Sequence, residues 1–243
     1  MNKIMIKLIF NSFIALLIIM NFSSCEKSQY IDTGVFKNDF KGTNFDYLKS
    51  RPELFDSLCT IIEVAGLKEE INKQGRTFFT PPNQSIMKSV RRLNERLELE
   101  GMDTIKSLRQ IKPQVWSEFL KMYIFTGIKY RDDYPQLDTN RFDVFPGQGY
   151  ISIGNNNMNI GVIYNDVKTK NSEGQEQVVQ YAGYRQLYIS SVDVTDFFGQ
   201  MINTPVSTSN IKTSNGVLHS LNFSKHTFGF SSVYFANRTF SQL

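Results

Sequence analysis

The stretch TFFTPPNQSI, residues 77–86, decides how the rest of this chain is read. Thr77, Phe78, Phe79 and Thr80 are β-branched and aromatic residues, which suit a pleated surface, and Pro81-Pro82 removes two backbone donors and ends the strand. Asn83 is a helix-capping residue type, and beyond it Ile86, Val90, Leu93 and Leu97 recur at helical spacing until Gly101. Working upstream, Ser50-Arg51-Pro52-Glu53 reads as a capping box with proline in the first turn, followed by a helical face of Leu54, Leu58, Ile61 and Ala65 that Gly66 stops. Phe45 with Leu48, and residues 67–71, form shorter helical turns on either side. Downstream, Asp103 is placed to cap a short helix carrying Ile105 and Leu108. Pro113 opens another, with Trp116, Phe119 or Leu120, and Tyr123 on one face.

After Gly127 the periodicity changes. Strand-like runs fall at residues 142–145, 150–153, 159–164, 177–181 and 186–190, with a loop at Gly154-Asn155-Asn156-Asn157 and a hairpin tip within 168–175. A last group covers 209–212, 217–221 and 227–235, the final run read as an extra C-terminal strand from its aromatic spacing. Helices first and strands later predict an α+β fold, with helices segregated against antiparallel sheet. The folded part is read as one domain, residues 43–243, with an enlarged strand region at about 140–195.

A second segment, IKTSNGVLHSL at residues 211–221, pairs with the first in meaning. Asn215-Gly216 suits a tight turn, because Gly, and sometimes Asn, tolerates positive φ. Val217, Leu218 and His219 then form an apolar-apolar-His strand. The two segments resemble the signature boxes of the fasciclin domain family, and they stand in the family's order behind matching front helices. FLKMYIFTG, residues 119–127, matches the family's middle segment in position, but Tyr123-Ile124 stands where the family often has Tyr-His. The resemblance covers about residues 44–222. It implies a wedge of two antiparallel β-sheets with a helical cluster at its side.

The N-terminus carries a different message. Lys3 and Lys7 precede the apolar run of residues 8–20, and Phe22-Ser23-Ser24-Cys25 follows. That is a secretory signal, residues 1–24, and its end resembles the lipobox of bacterial lipoproteins. Cleavage before Cys25 and acylation of Cys25 are expected, with residues 25–42 as a polar tether. The competing reading, a membrane-spanning helix of about 17 residues, is at the lower limit for crossing a bilayer. Loss of Lys3 and Lys7 lowers the formal charge from +4 to +2, which gives no electrostatic case for nucleic acid. With Cys25 acylated, Cys59 is the one remaining thiol, expected in the core.

Chemistry-bearing patterns are sparse. His219 and His226 lack zinc-ligand spacing, and no catalytic, cofactor-binding or metal site is assigned. Ser220 beside His219 faces the opposite side of a strand. Asp132-Asp133, and Asp193 with Asp196, read as solvated loop carboxylates. Gly147-Gln148-Gly149 lacks the following helix of a phosphate loop. Asp103-Thr104-Ile105 resembles a short O-glycosylation motif of Bacteroides-type bacteria, with helix capping the preferred role for Asp103. The resemblance to fasciclin domain lipoproteins of Bacteroidetes-type bacteria implies a non-enzymatic, lipid-anchored module of the outer membrane. Its expected partner is a protein or a glycan, such as a TonB-dependent transporter complex or a matrix protein in adhesion. The alternative is a glycan-binding or glycan-processing surface lipoprotein, with Tyr181, Tyr184 and Tyr188 as candidate contacts.

Overall fold

A computed structural model describes residues 39–192 and 199–243. Cys25, Asp193 and Asp196 lie outside the described residues. No helix among the described residues is long and apolar enough to cross a membrane.

The helical half comes first: α1 (Asn44–Lys49), α2 (Pro52–Val64) and α3 (Lys68–Ile71) precede strand β1 (Arg76–Thr80), then α4 (Asn83–Leu99) and α5 (Pro113–Leu120). The sheet half follows: β2 (Ile124–Thr126), β3 (Gln148–Ile151), β4 (Asn157–Tyr164), β5 (Val167–Lys170), β6 (Glu176–Val179), β7 (Arg185–Val192), β8 (Met201–Lys212) and β9 (Gly216–Leu221). A last helix, α6 (Ser232–Phe240), ends the chain. The α+β expectation therefore holds.

Seven strands form one ribbon in the order β2-β1-β9-β8-β7-β4-β3. Strand β8 pairs with β7 through residues 201–205 and with β9 through residues 206–212, with two register shifts between Val206 and Ile211. Those irregularities bend the strand so that it serves two neighbours. The ends of the ribbon nearly meet, for the Ile153 amide, just past β3, donates to the Ile124 carbonyl at the start of β2 (2.9 Å). The expectation of purely antiparallel sheets is corrected at one place: β1 and β9 run parallel, Phe79 opposite His219 and Phe78 opposite Leu218. The two segments that decided the sequence reading are thus direct neighbours in the ribbon. Both strands are buried along their whole length, as expected of a parallel pair covered on both faces.

Other local readings change. The final aromatic run is not a strand. Ser231 caps α6 by accepting from the Tyr234 amide (3.3 Å), and Phe235, Ala236 and Thr239 form its buried face. Residues 142–145 form a turn, with Phe142 and Val144 exposed. Neither Ser50 nor Asp103 caps a helix N-terminus: Arg51 holds the α2 cap position without a side-chain bond, and Ser107 with Gln110 boxes a short 3-10 turn, Leu108–Gln110. Pro82 occupies the α4 cap position. Asn83 instead inserts into the first turns of α2, accepting from the Ser57 amide (2.8 Å) and donating to the Pro52 and Glu53 carbonyls (3.0 and 3.2 Å).

Candidate functional site

Strands β4 and β7 pair from Asn159 opposite Ser190 to Tyr164 opposite Arg185. There the ladder breaks and the chain continues as a separate two-stranded hairpin, β5–β6, outside the seven-stranded ribbon. The break has a local cause. Gly183 passes so close to the Asn165 carbonyl that a Cβ would lie 2.6 Å from its oxygen, and Tyr181 adopts a left-handed φ of 59°. At the far tip Asn171 closes the hairpin, its Oδ1 accepting from the Glu173 and Gln175 amides (3.0 and 2.8 Å) with Gly174 at φ 79°. All four β6 residues are exposed, among them Val178 and Val179.

A cleft of about 350 Å³ opens where the hairpin leaves the ribbon. Asp138, Asn140, Tyr164, Asp166, Gln180 and Tyr181 are among its lining residues. Asp138 is held from two sides. Its Oδ1 accepts from the Asn140 and Arg141 amides (2.9 and 3.2 Å), and its Oδ2 accepts from the Tyr181 hydroxyl (3.1 Å). Desolvation and this donation to Asp138 raise the Tyr181 phenol above the ordinary tyrosine range, so it stays a donor. Asp166 accepts from the Tyr181 amide through Oδ1 (2.9 Å). Behind the cleft the Arg185 guanidinium lies 4.5 Å from the Tyr164 ring centre, and Phe145 meets the Tyr181 ring edge-on at 5.6 Å.

The three candidate tyrosines are separated. Tyr181 lines the cleft. Tyr184 stands exposed beside Arg131 and Arg185 at a neighbouring hollow. Tyr188 is half-buried in β7 opposite Gly161 and Pro205, its phenol raised by burial. The sequence reading missed Asp138, Asn140, Tyr164, Asp166 and Gln180. The available signal was the clustering of polar residues on aromatics at strand ends, Tyr164-Asn165-Asp166 and Gln180-Tyr181, with Asp138-Thr139-Asn140 as a side-chain-closed turn.

The other chemistry-bearing residues have structural partners. His219 is fully buried, accepts from the Asn210 amide at Nδ1 (3.2 Å), donates from Nε2 to the Lys129 carbonyl (3.0 Å), and packs on Phe79. His226 is sealed between Tyr123 (hydroxyl to Nε2, 3.1 Å) and Thr204 (Oγ1 to Nδ1, 3.3 Å). Burial lowers both rings, His219 to about 4 and His226 to about 3. Cys59 lies in the core, where burial pushes its thiol up to about 11, well away from reactive thiolate. Asp132 pairs with Arg131 (3.0 Å), and Asp133 accepts from the Tyr130 amide (2.7 Å). Gly147-Gln148-Gly149 leads into β3. A second cavity of about 330 Å³ lies beside α5, between Met122, Met158, Ile202, Phe230 and Tyr234.

Taken together these features define a mixed α+β domain on a nearly closed ribbon, with a polar-aromatic cleft under a projecting hairpin. No protein-family model matches the chain, and no curated protein matches it. Among solved structures it is similar to the FAS1 domain pair from the insect cell adhesion molecule fasciclin I, at 12% identity and a TM-score of 0.38. That match covers 72% of this chain and 45% of the other, so the chain spans less than half of the structure it resembles.

Proposed function

We propose that this chain is a non-enzymatic binding module of the bacterial envelope, held to the outer membrane by acylation of Cys25. It serves in adhesion or as an accessory subunit of a nutrient-uptake system, with a protein or glycan partner. The observation that carries this reading is the β5–β6 hairpin, an exposed arm that, among the described residues, pairs with itself and stands on a nearly closed seven-stranded ribbon. Recognition is commonly built in this way, on excursions positioned by a scaffold. The resemblance of residues 77–86 and 211–221 to fasciclin boxes supports the same class.

The test is mild-detergent purification of the tagged full-length protein from its host, with mass spectrometry of what accompanies it. A stoichiometric partner, for instance a TonB-dependent transporter, is expected. It should be lost when residues 167–179 are replaced by a short Gly-Ser link, with the melting temperature retained. Hydrolytic turnover by the purified chain that one substitution abolished would falsify the non-enzymatic reading. Recovery of the partner without the hairpin would remove the arm from its role.

A further inference from the structure

We propose that the cleft at the base of the β5–β6 hairpin binds a neutral oligosaccharide; this rests on reading the chain as a binding module and names its ligand class. A sugar presents hydroxyls that each donate and accept, above an apolar C–H face. A matching site needs fixed acceptors, groups that both donate and accept, and aromatic surface. Each is present. The Asp138 carboxylate is fixed by the Asn140 and Arg141 amides and the Tyr181 hydroxyl, so little ordering remains to be done on binding. The Asn140 and Gln180 side-chain amides and Asp166 Oδ2 line the same cleft with no partner among the described residues. Tyr164 and Tyr181 supply the rings.

Charge narrows the class. Asp138 and Asp166 line the cleft with one guanidinium, Arg141, which itself lies 3.8 Å from Asp143, while the Arg185 guanidinium lies behind it on the Tyr164 ring, 4.0 Å from Asp132. An acidic sugar or a phosphate would meet a net negative wall, whereas neutral hydroxyls would not. The volume of about 350 Å³ is near the lower end of ligand pockets and suits about one or two sugar rings.

The experiment uses the full chain on an array of neutral, N-acetylated and uronate oligosaccharides, followed by calorimetry with the strongest neutral binder. The Asn140→Ala, Gln180→Ala double variant removes two exposed side chains without internal bonds, so its melting temperature should match the parent. Its affinity should fall at least about tenfold. A blank array, a preference for uronates, or unchanged affinity in the double variant each overturns the assignment. A blank array with a hairpin-dependent partner still recovered from the host removes the sugar alone. Loss of both removes the module reading as well.

Discussion

His219 is held as a single tautomer by backbone groups, whereas His226 is held by two hydroxyls. The Asn210 amide points at His219 Nδ1, so the ring proton sits on Nε2 and goes to the Lys129 carbonyl. His226 lies between two hydroxyls, Tyr123, which also accepts from the Gly229 amide (2.7 Å), and Thr204, and each hydroxyl can either donate to the ring or accept from it. A second proton on His219 would set donor against donor at the Asn210 amide, and on either ring it would bury a charge. The unfolded chain takes up these protons near pH 6.5 and the folded chain only near 4 and 3, so stability is full above about pH 6.5 and falls as pH drops below it. Urea melts between pH 7 and 4 should show this loss, with a shallower slope in His226→Gln. An equal slope would mean that carboxylates, not this ring, set the acid limit. Gly216 makes a second case. Its φ is not positive, contrary to what Asn-Gly suggests, and the left-handed residue nearby is Asn210 at 62°. Gly216 is required because a Cβ would meet the Arg76 carbonyl oxygen at 2.2 Å and Asn44 Nδ2 at 2.8 Å. Gly216→Ala should therefore cost about 3 kcal/mol in denaturant unfolding. The Asn-Gly pair was legible in the sequence; the reason for it was not, because close approach of β1 is a long-range fact.

Among the elements, α6 shows how local pattern misleads. Phe228 with Phe230, and Val233 with Phe235, are each two apart, and these pairs mimic strand alternation. The first two are instead loop residues packed into the helical layer: Phe228 lies 5.7 Å from Trp116, and Phe230 stacks on Tyr123 at 5.2 Å. The Phe228 amide donates to the Ser85 carbonyl (3.1 Å) and its carbonyl accepts from Ser89 (2.7 Å), so α4 draws this loop in from outside any sheet. Phe235 then projects from α6 onto Phe119 and Trp116 at 5.0 and 5.5 Å. Phe235→Ala should cost about 3–5 kcal/mol, read as a lower urea midpoint. A loss under about 1 kcal/mol would mean that α6 is a passenger. The helices α2, α4 and α5 were legible because each carries its own period. The capping roles were not, since Asn83 was drawn away from α4 by the open first turns of α2.

At the scale of the molecule, the ribbon sets what the folded domain can offer a partner. The ribbon nearly closes on itself, which leaves little free edge for pairing with other chains. Among the described residues the exception is the β5–β6 arm, whose tip within residues 168–175 was legible in the sequence. Its cleft was not, because Asp138 and Tyr181 are 43 residues apart and meet only through the fold. In the proposed function the domain is held at the membrane by acylation of Cys25. One buried acyl chain is marginal at about 0.8 kcal/mol per methylene, so several chains on one residue are what make the attachment stable. Cys25→Ser should then abolish labelling by an alkynyl palmitate in the host, and the uncleaved chain should lose its tight retention in the outer-membrane fraction. Retention of Cys25→Ser through a carbonate wash, at the same level as the parent, would mean that the apolar run of residues 8–20 itself holds the bilayer. The tether would then begin at a spanning helix instead of a lipidated cysteine, and the domain would sit on the membrane that the helix crosses.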